Sequence, residues 1–263
     1  MITPQELRKV ARESQLAVDL IEKDYALGWL LFGISSSSIS KHVAFKGGTS
    51  LSKVYFPGNW RLSEDLDFTL IDEIDWAQIA KWLSEEVPQL VVRGSGIVVA
   101  LKDSPHMNPT YLQSRFQYAG PIAKNTVKIE VSKEKFIGEI VTREVPRIFD
   151  YPKFSLNVYT IENILAEKIR TLLERGHVKD YYDVWKLLEV EKFDARQIKK
   201  LFLEKCKAKG IEFTRVEQFF PEGLIDNLRP HMRMGLTRLS PKTLPALETI
   251  LKELRARLEK LIG

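Results

Sequence analysis

Two aspartates, Asp65 and Asp67, stand one residue apart in the run Arg61-Leu62-Ser63-Glu64-Asp65-Leu66-Asp67-Phe68-Thr69-Leu70. Leu66, Phe68 and Leu70 alternate with Asp65, Asp67 and Thr69, the period-2 pattern of a strand with one apolar face. Both carboxylates then project from the same face, roughly 6–7 Å apart along the strand. Like charges held this close disfavour folding unless a cation lies between them. An oxygen-only pair suits Mg²⁺ (or Mn²⁺), which binds through one or two carboxylates together with substrate phosphates. The competing interpretation is an edge strand that carries acids against aggregation. The glycine turn upstream favours the metal.

That turn is Lys46-Gly47-Gly48-Thr49-Ser50. A brief apolar strand, Val43–Phe45, leads into it, and Thr49–Val54 reads as the opening of a helix. Glycines let backbone N–H groups turn toward a ligand, and such a helix start is a ready phosphate site. Further on, Val127-Lys128-Ile129-Glu130-Val131 is a short strand with Lys128 and Glu130 on the face opposite its three aliphatic residues. A carboxylate in the middle of an apolar strand is costly without a partner. The aspartate pair is its natural partner, which makes Glu130 the candidate third acid. It would hold the metal or take a proton from an attacking hydroxyl.

The elements that must position these groups follow from periodicity and caps. Residues 4–33 read as one helix, with Thr3 as N-cap, Pro4 at the first position and an acidic first turn. Ser35–Ser38 reads as a loop, Asp75–Val87 as a helix, and Val98–Leu101 and Gln113–Tyr118 as strands. Asp103–Pro109, with His106, reads as a polar loop, and Pro146–Phe154 as a linker. Helices dominate afterwards. Thr160 caps one from Ile161 to about Arg175, stopped by Gly176. Lys168, Leu172 and Arg175 share a face of it. Asp180 begins the next helix. Taken singly, Lys168 is a snorkelling surface lysine and Asp180 an N-cap. Phe193–Lys209 and Leu244–Leu261 are amphipathic helices, with a broken segment at Pro221–Arg238 between them.

Composition narrows the function classes. The 263 residues are 44% hydrophobic and 29% charged, an ordinary globular balance. Cys206 is the only cysteine, which excludes an intrachain disulfide and a multi-cysteine metal site. The four histidines are scattered without ligand spacing. The start carries no signal-peptide pattern and no apolar run approaches the roughly 18 residues of a membrane span. A cytoplasmic protein with no membrane partner is the expectation. The net charge is +5, unevenly placed: from Arg196 onward 15 Lys+Arg face 8 Asp+Glu, or +7, leaving about −2 for the first 195 residues. The basic end suits a polyanion such as RNA, or is a solvated surface.

Taken together, KGGTSLSKVY, RLSEDLDF, KIEVS and ENILAEKIRTLLERGHVKDYYDVWKL resemble the AbiEii/AbiGii toxin family of nucleotidyltransferases, the toxin halves of type IV toxin–antitoxin systems. The resemblance implies an α+β fold: a polymerase-β-like core, with a mixed sheet and flanking helices, plus a C-terminal helical region. The resemblance runs from about Lys46 to Leu187; the linker-like stretch and the change to helix after it divide the chain into a core with N-terminal helices at 1–155 and a helical region at 156–263, basic from about 196. The resemblance assigns Lys46, Gly47, Gly48, Thr49 and Ser50 to the triphosphate, and Asp65 and Asp67 to the metal. Glu130 stands where the wider superfamily has aspartate. The helix from Lys168 to Arg175 matches a K-x-x-T-x-x-R-like motif, which puts Lys168 and Arg175 at the nucleotide, and Asp180 matches the last motif. The implied activity is metal-dependent transfer of NMP from an NTP to an acceptor, expected to be the 3′ end of tRNA. A cognate antitoxin protein is the implied partner. Alternatives from the residues themselves are a small-molecule nucleotidyltransferase and a non-catalytic nucleotide- or RNA-binding module.

Overall fold

A computed structural model describes residues 1–241 and 243–263. The chain divides into two compact units. The first comprises Met1–Phe136 and Ile140–Val158, the second Ile137–Glu139 and Tyr159–Gly263. Among the described residues, no helix is long and apolar enough to cross a membrane.

The first unit is built on a mixed sheet. Its strands are β1 (Val43–Lys46), β2 (Asp65–Leu70), β3 (Val98–Leu101), β4 (His106–Met107), β5 (Tyr111–Ala119), β6 (Lys124–Ser132), β7 (Ile140–Glu144) and β8 (Ser155–Tyr159). The order is β3-β5-β6-β2-β1-β8-β7, with β4 also paired to β5. β2 lies between an antiparallel partner, β1, and a parallel one, β6. The expected alternation holds: Leu66, Phe68, Leu70, Val127, Ile129 and Val131 are all buried and share one core with helix residues such as Tyr25, Leu27, Leu30 and Val91. The opposite face of the same strands is left for Asp65, Asp67, Lys128 and Glu130.

The first helical stretch departs from the single helix read over 4–33. Helix α1 (Pro4–Ser14) has the expected capping box: the Glu6 amide donates to Thr3 Oγ1 at 3.2 Å and the Thr3 amide donates to Glu6 Oε2 at 2.8 Å. It stops at Gln15, whose left-handed φ of 56° ends the helical path, and α2 (Val18–Ser36) begins after Ala17. The apolar stripe continues across the break, so periodicity alone could not show it. Ser35 and Ser36 belong to α2, and Ser38–Lys41 forms a 3₁₀ turn rather than a loop. His106 lies in β4, where its strand pairs with Gln113. Pro146–Phe154 is no linker: Val145, Phe149, Tyr151 and Phe154 are buried in the first unit's core. Its aromatic rings contact one another and Trp29 edge-on.

Buried charge ties the first unit together. Glu22 on α2, 2% exposed, accepts from the amides of Ile122 (2.6 Å) and Ala123, fixing the turn between β5 and β6. A Cβ on Gly120 in that turn would lie 2.5 Å from Glu22 Oε1, so a side chain there would have to push the Glu22 carboxylate off the turn amides.

The second unit is helical. Helices α3 (Gly47–Ser50), α4 (Trp76–Lys81) and α5 (Val87–Ser95) complete the first unit; the second contains α6 (Ile161–Glu174), α7 (Val178–Val190), α8 (Ala195–Ala208), α9 (Leu224–His231) and α10 (Leu247–Ile262). Thr160 caps α6 as expected, its Oγ1 accepting from the Asn163 amide at 3.3 Å. Trp185 on α7 donates to Glu253 on α10 at 2.8 Å, and Arg257 on α10 returns a bond to the Trp185 carbonyl at 2.8 Å.

Candidate active site

Strand register assembles the first cluster. Asp67 on β2 is level with Lys46 on β1 and Glu130 on β6, and Glu130 is level with Gln113 on β5. One pleat away on the same face, Asp65 is level with Lys128, which is level with Arg115. Lys46, Asp65, Asp67, Lys128 and Glu130 thus occupy two neighbouring rows of one sheet face. Lys128 Nζ lies 3.9 Å from Asp65 Oδ2 and 3.6 Å from Glu130 Oε2. Asp67 is half-buried. Burial pushes its carboxyl pKa up, the charges of Lys128 and Lys46 pull it down, and Glu130 and Asp65 add to the rise; the net shift is upward.

The glycine turn packs directly on this face. Gly47 opens α3 with φ +76°, and a Cβ there would lie 2.8 Å from Asp67 Oδ2. Glycine is required twice, for the left-handed backbone and for the approach of Asp67. Two hydroxyls expected at the triphosphate are used internally: Thr49 Oγ1 donates to the Asp65 carbonyl at 2.5 Å and Ser50 Oγ to the Gly47 carbonyl at 2.7 Å. Both residues are fully buried. Thr49 fixes the turn to β2, and Ser50 closes the turn on itself. The helix then widens into a π turn over Leu51–Tyr55. There, fully buried Lys53 pairs with Asp24 Oδ1 at 2.7 Å and donates to the Asp24 carbonyl at 2.7 Å. Burial lowers the Lys53 pKa against the opposing pull of Asp24.

Among the described residues, no three carboxylate, histidine or cysteine side chains converge as a ready-made metal cage. The donors present still fit a hard divalent cation. They are carboxylate oxygens on adjacent rows, one of them driven toward its neutral form by burial and like charge. Such a cation completes its shell with substrate phosphate and water.

The second unit holds a cluster of different character. Lys168 on α6 pairs with Asp180 at 2.9 Å and with Asp183 at 2.8 Å, both on α7. Arg175 donates to Asp180 through Nε at 2.8 Å and Nη2 at 3.1 Å. Asp180 and Asp183 are fully buried and Lys168 is nearly so. Burial raises the Asp180 carboxyl, but the charges and hydrogen bonds of Lys168 and Arg175 outweigh it and hold the group well below the usual carboxylate range. The sequence reading of Asp180 as first residue or N-cap is corrected: α7 starts at Val178 after His177, and Asp180 lies in its first turn with its carboxylate on Lys168 and Arg175. Lys168 is buried rather than snorkelling.

Sequence reasoning missed Lys128, Asp183 and the Asp24–Lys53 pair. Lys128 was legible in part, since it shares a strand face with Glu130. Asp183 stands three residues after Asp180, on the same helix face. Nothing local joins Asp24 to Lys53.

Comparison with solved structures places the whole chain in one known fold. The nucleotidyltransferase toxin MenT4 of Mycobacterium tuberculosis superposes with a TM-score of 0.74 at 19% identity, over 97% of this chain and 89% of that one. JHP933 of Helicobacter pylori gives 0.59 at 17% identity, over 94% and 93%. At these identities the likeness is one of fold. No curated protein matches the sequence. The family model for the nucleotidyl transferase AbiEii toxin of type IV toxin–antitoxin systems matches residues 29–255, a span holding both the aspartate strand and the buried lysine cluster. The chain therefore belongs to the AbiEii family of nucleotidyltransferase toxins.

Proposed function

We propose that this nucleotidyltransferase moves NMP from an NTP to the 3′ end of an RNA, with tRNA as the acceptor, and that it does so on the exposed face of β2 and β6. The observation that carries this reading is the row Lys46–Asp67–Glu130, with Asp65 one pleat away, set against the Gly47 turn.

Asp65, Asp67 and Glu130 hold a divalent cation, Mg²⁺ or Mn²⁺. When bound, that cation neutralises and orients the triphosphate oxygens. The acceptor hydroxyl oxygen forms a bond to the α-phosphorus while the bond from that phosphorus to the bridging oxygen breaks. Pyrophosphate leaves, and the hydroxyl proton passes to Glu130. Such a transfer depends on positioning and charge neutralisation more than on covalent chemistry by the protein. Lys46 and the first backbone N–H groups of α3, at Gly47 and Gly48, meet the phosphates. Thr49 and Ser50 serve the same phosphates indirectly, by holding the turn. Within the second unit Lys168 and Asp180 hold the α6–α7 cluster together, and the half-exposed guanidinium of Arg175 at its edge is the group offered to a phosphate. The +7 balance beyond residue 195 supports an RNA grip. A cytoplasmic setting and a cognate antitoxin complete the proposal.

The test is incubation of the purified protein with Mg²⁺, each α-labelled NTP in turn, and total cellular RNA. Label should enter RNA of tRNA size, and Asp67→Asn should remove at least ~99% of it in a protein that melts no lower than the parent. Label passing to small molecules without RNA would replace this reading with a small-molecule nucleotidyltransferase. Metal-dependent NTP binding without any transfer would replace it with a binding module.

A further inference from the structure

The sheet face that carries the three acids also carries a cation of its own. Lys128 lies within 4 Å of Asp65 and of Glu130, one on its own strand and one on the strand beside it. Its charge is also the largest of those that lower the Asp67 carboxyl. Register explains the placement: Lys128 is the cross-strand partner of Asp65 and stands two residues before Glu130 on the same face. Both distances exceed those of charge-assisted hydrogen bonds. The three side chains are 33–46% exposed. The lysine is thus loosely held and free to leave toward solvent. This contrasts with Lys53, which is sealed and bonded at 2.7 Å. Arg115, level with Lys128 on β5, is exposed and extends the positive charge along the row.

We infer that Lys128 is a resident counter-ion that makes loading of the divalent cation conditional on nucleotide. This rests on the proposed metal site at Asp65, Asp67 and Glu130. Without nucleotide, a divalent cation entering between these acids meets the Lys128 ammonium at close range and must displace it. With nucleotide, the triphosphate brings negative charge to which Lys128 can transfer, so the acids are released to the cation. The arrangement couples two ligands through one side chain, and the coupling is reciprocal. Lys128 acts here as a positioning residue.

The experiment measures Mn²⁺ binding by electron paramagnetic resonance of the free ion. It uses the full chain, wild type and Lys128→Gln, with and without α,β-methylene analogues of the four NTPs. The wild type should bind Mn²⁺ weakly alone and more tightly with the preferred analogue. Lys128→Gln should bind Mn²⁺ alone about 5–10-fold more tightly, the scale expected from removing one unit charge at ~4 Å in a partly solvated site. The gain from nucleotide should shrink by the same factor. Arg115→Gln should leave both affinities unchanged. Equal nucleotide-free affinities in wild type and Lys128→Gln overturn the inference. So does an equal shift in Arg115→Gln, which would mean general surface charge. Absence of Mn²⁺ binding in every protein, with or without analogue, would instead remove the metal site and the inference with it. Lys128 is one-third exposed, so thermal melts of the glutamine variant should match wild type.

Discussion

The two ionic clusters use the same residue types in opposite ways. In the helical unit, Lys168, Asp180, Asp183 and Arg175 meet at 2.8–3.1 Å, and the two aspartates are sealed from water. On the sheet face, Lys128 and the acids sit at 3.6–3.9 Å and stay partly solvated. The first arrangement holds a folded geometry, because a buried charge that loses its partner is expensive. The second leaves charge uncompensated, as a surface must if it is to take up a cation and phosphates. The pKa directions agree. Asp180 is held down by two cations, whereas Asp67 is pushed up by burial and its acidic neighbours.

Breaking the tight cluster should cost most. Asp180→Ala should destabilise the protein by ~3–5 kcal/mol in urea unfolding, since it removes one buried partner of Lys168 and the carboxylate that Arg175 grips through Nε and Nη2. The pH dependence has a definite sign. The Asp180 pKa is lower folded than unfolded, so its contribution is fully present above the unfolded value of about 3.8 and is lost as pH falls below it. Asp180→Asn should flatten that acid limb. A variant with unchanged stability would show that the cluster is not what holds α6 and α7 together.

On the sheet face, Asp67→Asn should lower nucleotidyl transfer by ~10²-fold or more, as expected for a ligand of transition-state charge. The same change should raise stability at neutral pH. The folded pKa of Asp67 lies above 3.8, so its ionisation erodes stability as pH rises through the folded value, and asparagine removes that cost. Unfolding midpoints at pH 7 should therefore rise while activity falls. If both fall together, the contrast between the clusters is wrong.

Gly47→Ala should act on both quantities. The left-handed φ costs ~1–2 kcal/mol for a residue with a Cβ. The Cβ also meets Asp67 Oδ2, so transfer should drop about tenfold, read alongside a thermal melt. The smallest effect is expected at Ser50→Ala: loss of one internal hydrogen bond, ~1 kcal/mol, with near-normal transfer. A tenfold loss of transfer at unchanged stability would instead mean that the Ser50 hydroxyl reaches the phosphates directly.

The fold was legible where the signal is local. The alternation around Asp65 and around Glu130, the Thr3 capping box and the Thr160 cap each depend on neighbours within a few residues. Failures came where distant packing decides. The break at Gln15 leaves the apolar stripe intact, so no period reveals it. Pro146–Phe154 has the prolines and irregularity of a linker, yet its aromatic residues are drawn into the first unit's core. Strand β7 went unseen because Ile140–Glu144 is half-exposed and mixed in polarity.

Sequence by itself determined that Asp65, Asp67 and Glu130 share the polar side of short apolar strands next to a glycine turn, because side-chain alternation is a property of the strand. It also determined the family, through motifs whose spacing survives without the rest of the chain. Only tertiary structure decided that β2 and β6 pair in the register that sets Asp67 level with Glu130 and Asp65 level with Lys128. Only it showed Thr49 and Ser50 turned inward, and Lys168 closed between two aspartates. The β2–β6 register joins residues 63 apart, and Thr49 and Lys168 find partners 16 and 12 residues away; the spacing within a single strand or helix does not specify such pairings.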